Sequence, residues 1–176
     1  MKKIILIIVI VLTISTLTKK TEELIIPKEA IRFRVIANSN NEIDQTTKLL
    51  VKDKVQEQMQ KDLKYTTNLE EARTSLRDNI SNYENIVLNT LNNNNIKMDY
   101  NVNYGMNYFP QKVYKGVKYE EGYYESLVVT LGNGQGNNWW CVLFPPLCLL
   151  EAEETEEETD VEYKFFISEL IDKYLK

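Results

Sequence analysis

The sequence predicts an α+β domain with helices packed on one face of a largely antiparallel sheet, in the order β-α-α-β-β-β-α. Two observations carry this. Short runs of alternating apolar and polar residues are bounded by Asn, Gly and Pro, as strands are, and amphipathic stretches with apolar steps of three and four lie between the first two of them. A final apolar-striped segment follows an acidic run, which places the last helix. The 176 residues divide into a signal peptide or amino-terminal anchor (1–18), a tether (19–29), the α+β domain (30–150), an acidic linker (151–160) and a carboxy-terminal amphipathic helix (161–176).

Met1-Lys2-Lys3 precedes nine uninterrupted aliphatic residues, Ile4 to Leu12, the charged and apolar regions of a secretory signal. Extension through Leu17 approaches the ~18 to 20 residues that cross a bilayer as a helix. Both an exported chain and one with amino-terminal membrane attachment are therefore expected, with Lys2 and Lys3 on the cytoplasmic side and the remainder outside the membrane.

Ile31, Phe33 and Val35 alternate with Arg32 and Arg34, a strand with one buried and one wet face. Asn38-Ser39-Asn40-Asn41 closes it and caps a helix whose apolar stripe is Ile43, Leu50, Val51, Val55 and Met59, with Lys48, Lys52 and Gln56 outward. Asn68 and Glu71 make a capping-box-like start to a second helix with Leu69, Ala72, Leu76, Ile80, Tyr83, Val87 and Leu91 inward. Asn92 to Asn95 ends it. Lys97 to Tyr104 alternates cleanly and reads as a half-exposed strand near an edge. A tyrosine-dense connection follows, through Tyr108, Tyr114, Tyr119, Tyr123 and Tyr124; its rings either cover the sheet or offer a recognition surface. Tyr124 to Leu131, with Leu127, Val128 and Val129 in succession, reads as a central strand. Glu151 to Asp160 holds seven acids in ten residues, a solvated linker. The helix from Val161 is striped too broadly to be left in water and is expected to dock on the domain.

Leu131 to Cys148 is the least ordinary stretch. It holds both tryptophans, both cysteines and Gly132, Gly134 and Gly136. The alternating glycines predict a loop or hairpin turn. Trp139 to Phe144 predicts a strand covered on both faces, and Pro145-Pro146 ends it. No lysine follows the glycines and no helix opens there, so nucleotide binding is not indicated. The chain has no histidine, which removes Ser-His-Asp and Cys-His catalysis and leaves Cys141 and Cys148 without the partners of a zinc site. The two cysteines form either a small disulfide or a pair of buried thiols, and a position outside the membrane favours the disulfide. Glu120, Glu121 and Glu125 lie close together, but neighbours on one loop rarely flank a glycosidic bond. With 21 basic residues among 26 acids, no nucleic-acid partner is expected. Nor is a cofactor or metal.

Five segments together carry a family resemblance: Ile31 to Ser39, Asp44-Gln45 with the helix that follows, Phe109-Pro110 with Lys112, Tyr124 to Gly132, and Asn138-Trp-Trp-Cys-Val-Leu-Phe-Pro-Pro-Leu-Cys148. The chain resembles stage II sporulation protein R over most of 30–150 and in its last helix. It departs at Gly136-Asn137-Asn138, where the family more often has Gly-x-Asp-Asn. The resemblance implies a non-enzymatic signal, secreted from the forespore into the intermembrane space. There it would act on the outer face of a membrane-embedded aspartic protease that processes a sigma-factor precursor in the mother cell. Gly132, Gly134, Gly136, Asn138, Trp139 and Trp140 are the candidate receptor contacts, because interface energy concentrates in aromatic anchors. The rival reading is a cell-wall glycan-binding protein or carboxylate-dependent hydrolase.

Overall fold

The computed structural model describes residues 24–114, 117–150 and 160–175. The expected signal or anchor and almost all of the acidic linker lie outside the described residues. The elements are β1 (Leu24–Ile25), β2 (Ile31–Ile36), α1 (Glu42–Leu63), α2 (Leu69–Asp78), α3 (Ile80–Asn93), β3 (Tyr100–Phe109), β4 (Lys112–Tyr114), β5 (Val117–Tyr119), β6 (Gly122–Leu131), β7 (Asn138–Phe144), α4 (Leu147–Leu150) and α5 (Asp160–Leu175). No helix among the described residues is long and apolar enough to cross a membrane.

The architecture is α+β, and most strand pairs are antiparallel. A four-stranded sheet has the order β3-β6-β2-β7, and a three-stranded sheet the order β1-β5-β4. β2 runs parallel to β6 and antiparallel to β7. β3 stands at an edge, where its alternation placed it.

The main core lies between one face of the large sheet and α1, α2 and α3. Phe33, Val35, Leu127, Val129 and Leu131 meet Val51, Val55, Met59, Ala72, Leu76, Tyr83 and Val87, each such aliphatic or aromatic side chain contributing about 1.5 to 3 kcal/mol of transfer free energy. The opposite face is covered as well. Val142 on β7 packs with Ile26, Val117, Tyr119 and Leu147 and with Ile167 and Leu170 of α5. The last helix therefore docks, as its broad stripe required, but on the other side of the sheet from the first three.

Three expectations are corrected. The single second helix is two, α2 and α3, because the Asn79 side chain donates to the Ser75 carbonyl (2.9 Å), competing with the helical ladder, and the backbone there leaves helical geometry (φ −101°, ψ 5°). The stripe of α1 is rotated: Lys48 is 7% exposed while Ile43 is 73% exposed. Finally, of the two forms expected for Gly132 to Asn137, the structure has the loop and not the hairpin turn. β6 and β7 are not neighbours, and the segment crosses over the end of β2, which lies between them.

Candidate recognition surface

Crossing over β2 forces the glycine segment against the turn that follows that strand. The Gly136 amide donates to the Ala37 carbonyl (2.8 Å), the Gln135 amide to that of Asn38 (3.1 Å) and the Asn137 amide to Asn40 Oδ1 (2.6 Å). Asn38 Oδ1 accepts from the Asn133 amide (2.9 Å). Gly132 and Gly134 have φ of +54° and +63°, values that tolerate no ordinary side chain cheaply. Asp44, at the start of α1, gathers the other side: Ser39 Oγ (2.6 Å), Asn38 Nδ2 (2.9 Å) and Asn41 Nδ2 (3.1 Å) all donate to its Oδ2. Lys48 Nζ donates to the Asn137 carbonyl (3.3 Å), so the lysine expected in water is drawn in to close the clasp, and burial pushes its pKa down.

The hydrogen bond from Ser39, then that from Asn38, holds the Asp44 carboxyl below its ordinary 3.8. A depressed folded pKa stabilises the fold above the unfolded value, and that stability is lost as pH falls through the folded one. Unfolding measured from pH 7 to pH 2 is therefore expected to show a flat neutral region and a decline that begins near pH 4. The Asp44→Asn chain should start less stable and decline less steeply. Glu57 and Glu71, also held below their ordinary values by hydrogen bonds, supply the decline that remains.

The two tryptophans occupy opposite faces of β7. Trp139 meets the Phe33 ring edge-on (5.7 Å) and lies under Lys52 Nζ (5.1 Å). Trp140 packs edge-on with Phe109 (5.6 Å) and Tyr119 (5.1 Å). Both rings are half-buried. Asn138 opens the strand opposite Ile36. Cys141 and Cys148 are joined as a disulfide with Cα atoms 5.7 Å apart, tying β7 to α4.

Beside Trp140 lies a group that the alternation of β2 misassigned. Arg32, expected on a wet face, is wholly buried, because Tyr119 of the small sheet and the rings of Phe109, Tyr124 and Trp140 on the same face enclose it. Its guanidinium carbon stands 3.4 Å from the Tyr124 ring centroid and 5.1 Å from those of Phe109 and Trp140. None of its nitrogens meets a hydrogen-bond acceptor among the described residues. Burial pushes its pKa down to about 10, with Tyr124 and Tyr119 pulling the other way.

The β3–β6 ribbon carries the exposed aromatic surface. Tyr108 and Tyr123 stand directly opposite each other, their rings edge-on at 5.7 Å, and with Met106 they are 48%, 69% and 64% exposed. Behind them Arg73 Nε (2.7 Å) and Tyr104 Oη (2.8 Å) both donate to Glu125. Glu121 accepts from Tyr108 Oη (3.2 Å), and Glu120 lies 3.8 Å from Lys118. The three acids thus serve separate partners rather than one another. Tyr119 and Tyr124 cover the sheet, while Tyr108 and Tyr123 face outward.

The comparisons decide the family. The family model described as stage II sporulation protein R matches residues 27–154. The chain belongs to that family. A curated relative named stage II sporulation protein R, from Bacillus subtilis (strain 168), is 37% identical over 146 residues. The match covers 81% of this chain and 65% of that relative's length. No solved structure matches. The match to the stage II sporulation protein R family takes in both the clasp and the tyrosine ribbon.

Proposed function

We propose that this chain is an exported sporulation signal that activates a membrane-embedded aspartic protease of the mother cell, leading to processing of a sigma-factor precursor. Family membership across 27–154 is the observation that carries the reading. The charged and apolar amino terminus supports export from the forespore into the space between the membranes. Binding on the protease's outer face would shift its population toward a cleavage-competent state, which requires tighter binding to that state than to the resting one.

The test adds purified residues 21–176 to vesicles that carry the protease in the correct orientation, with the sigma precursor enclosed, and follows cleavage. Cleavage that depends on the added protein is expected. Folded, oxidised protein that gives none beside a constitutively active protease, or that instead binds or releases wall glycan, returns the reading to the cell-wall alternative. In this reading the contact is centred on Trp139 and the Gly132–Asn138 segment, with Trp140, on the other face of β7, reached only if the receptor wraps that edge strand. Trp139→Ala is expected to weaken activation about tenfold or more, as loss of an aromatic anchor does. Full activation by a Trp139→Ala chain whose unfolding transition matches the native one would remove Trp139 from the contact.

A further inference from the structure

Among the described residues, β3 is an edge strand without the charges, proline or bulge that blunt an edge. Its ten residues include no charge and no proline, and its register against β6 is unbroken. The Gly132 amide donates to the Asp99 carbonyl just ahead of the strand (2.7 Å). In an antiparallel pair, residues alternate in the direction of their backbone groups. Odd-numbered residues of β3 therefore bond to β6, and Tyr100, Val102, Tyr104 and Met106 turn their N–H and C=O groups to the open edge, while the Tyr108 carbonyl at the end of the strand already accepts from Arg34 Nη1 (3.2 Å).

The strand is also a near-palindrome. About Tyr104, position 100 matches 108 (Tyr, Tyr), 101 matches 107 (Asn, Asn) and 102 matches 106 (Val, Met). The remaining pair is Asn103 and Gly105, and space is open where a side chain on Gly105 would be. We propose that this edge is a self-association surface: a second copy adds its own β3 antiparallel, about a two-fold axis through Tyr104, to give one continuous sheet.

That register sets outward-facing residues opposite outward-facing residues, so Val102, Tyr104 and Met106 exchange pairs of backbone hydrogen bonds with the second copy. Tyr100 then stands across from the second copy's position 108, tyrosine on tyrosine, and Val102 across from methionine, cross-strand pairs that favour association. Asn103 faces the room left by glycine. A strand without charge opposes no like charges across the axis, and it offers none for a foreign partner to complement. Self-complementary sequence on one free edge is what a closed two-fold interface requires.

Sedimentation equilibrium on the full chain is expected to show a reversible monomer–dimer equilibrium, the monomer being the 20.6 kDa chain. Met106→Pro removes an outward amide that β6 does not use, at a position where an edge strand tolerates proline. It is expected to weaken the dimer at least about tenfold and to leave the unfolding transition in place. Register is read by cross-linking. Asn101→Cys and Asn107→Cys chains, mixed and oxidised, should form a disulfide between copies, since directly opposed non-hydrogen-bonded residues bring Cα atoms to about 4.5 Å. Neither chain should cross-link to itself. The proposal is overturned by a single-chain mass at every concentration, by a dimer that Met106→Pro leaves intact, or by cross-linking in another register. It is equally overturned if the chain stays monomeric and its β3 edge is taken up only by the protease.

Discussion

Arg32→Ala is expected to lower the free energy of unfolding by about 3 to 5 kcal/mol, the range for truncating a large buried side chain. Arg32→Met should stay within about 1.5 kcal/mol of the native chain, because it keeps most of the packed volume. The opposing terms set the sign. A desolvated guanidinium over aromatic faces gains about 2 kcal/mol. Removing an ion from water without an acceptor costs several, and none of the Arg32 nitrogens finds an acceptor among the described residues. The stem of Arg32 is therefore what packs the box, and its charge contributes little net stability. Urea unfolding with unchanged slope checks both variants. Should Arg32→Met fall as far as Arg32→Ala, the ring faces would outweigh desolvation and this account of the box would be wrong.

Gly136→Ala is expected to cost about 2 to 4 kcal/mol, a large value for one methyl group and one reserved for backbone conflicts. Its Cβ would stand 2.2 Å from the Ser39 carbonyl oxygen and 2.9 Å from Ala37 Cβ. The segment must lift, and the amides of Gln135, Gly136 and Asn137 lose the acceptors on 37–40 that hold them. Gly105→Ala is the control. Open space surrounds that position, so the change should be neutral or stabilise by about 0.5 to 1 kcal/mol. Thermal unfolding of the two variants side by side separates the cases; equal effects would mean that the crossover is not clamped as described.

Helix α3 and strands β3 and β6 were legible because periodicity survives when one face is buried, and Tyr83, Val87 and Leu91 all point to the core. Arg32 was not. Alternation reports two faces but not what covers the second, and the covering elements, β5 and α5, come from distant parts of the chain. Lys48 and Ile43 were misplaced because the stripe was drawn through apolar residues alone. The polar clasp around Asp44 sets the rotation of α1 instead. The hairpin alternative failed because strands consecutive in sequence usually pair, and here β2 had already taken the place between them. Glycine content announced a tight backbone approach without saying to what.

The position of β2 also bears on when the sheet can form. It is the first long strand of the chain, yet its partners are far behind it: Phe33 pairs with Leu127 on one side and Cys141 on the other. Contacts of such separation carry a loop-closure cost before any return, which slows folding. A chain threaded through a channel amino terminus first would present β2 to the far side with nothing to pair with until β6 and β7 had followed. In a chain exported that way the central strand would be the first to arrive and among the last to be satisfied, and the sheet would form only after nearly all of the domain had passed.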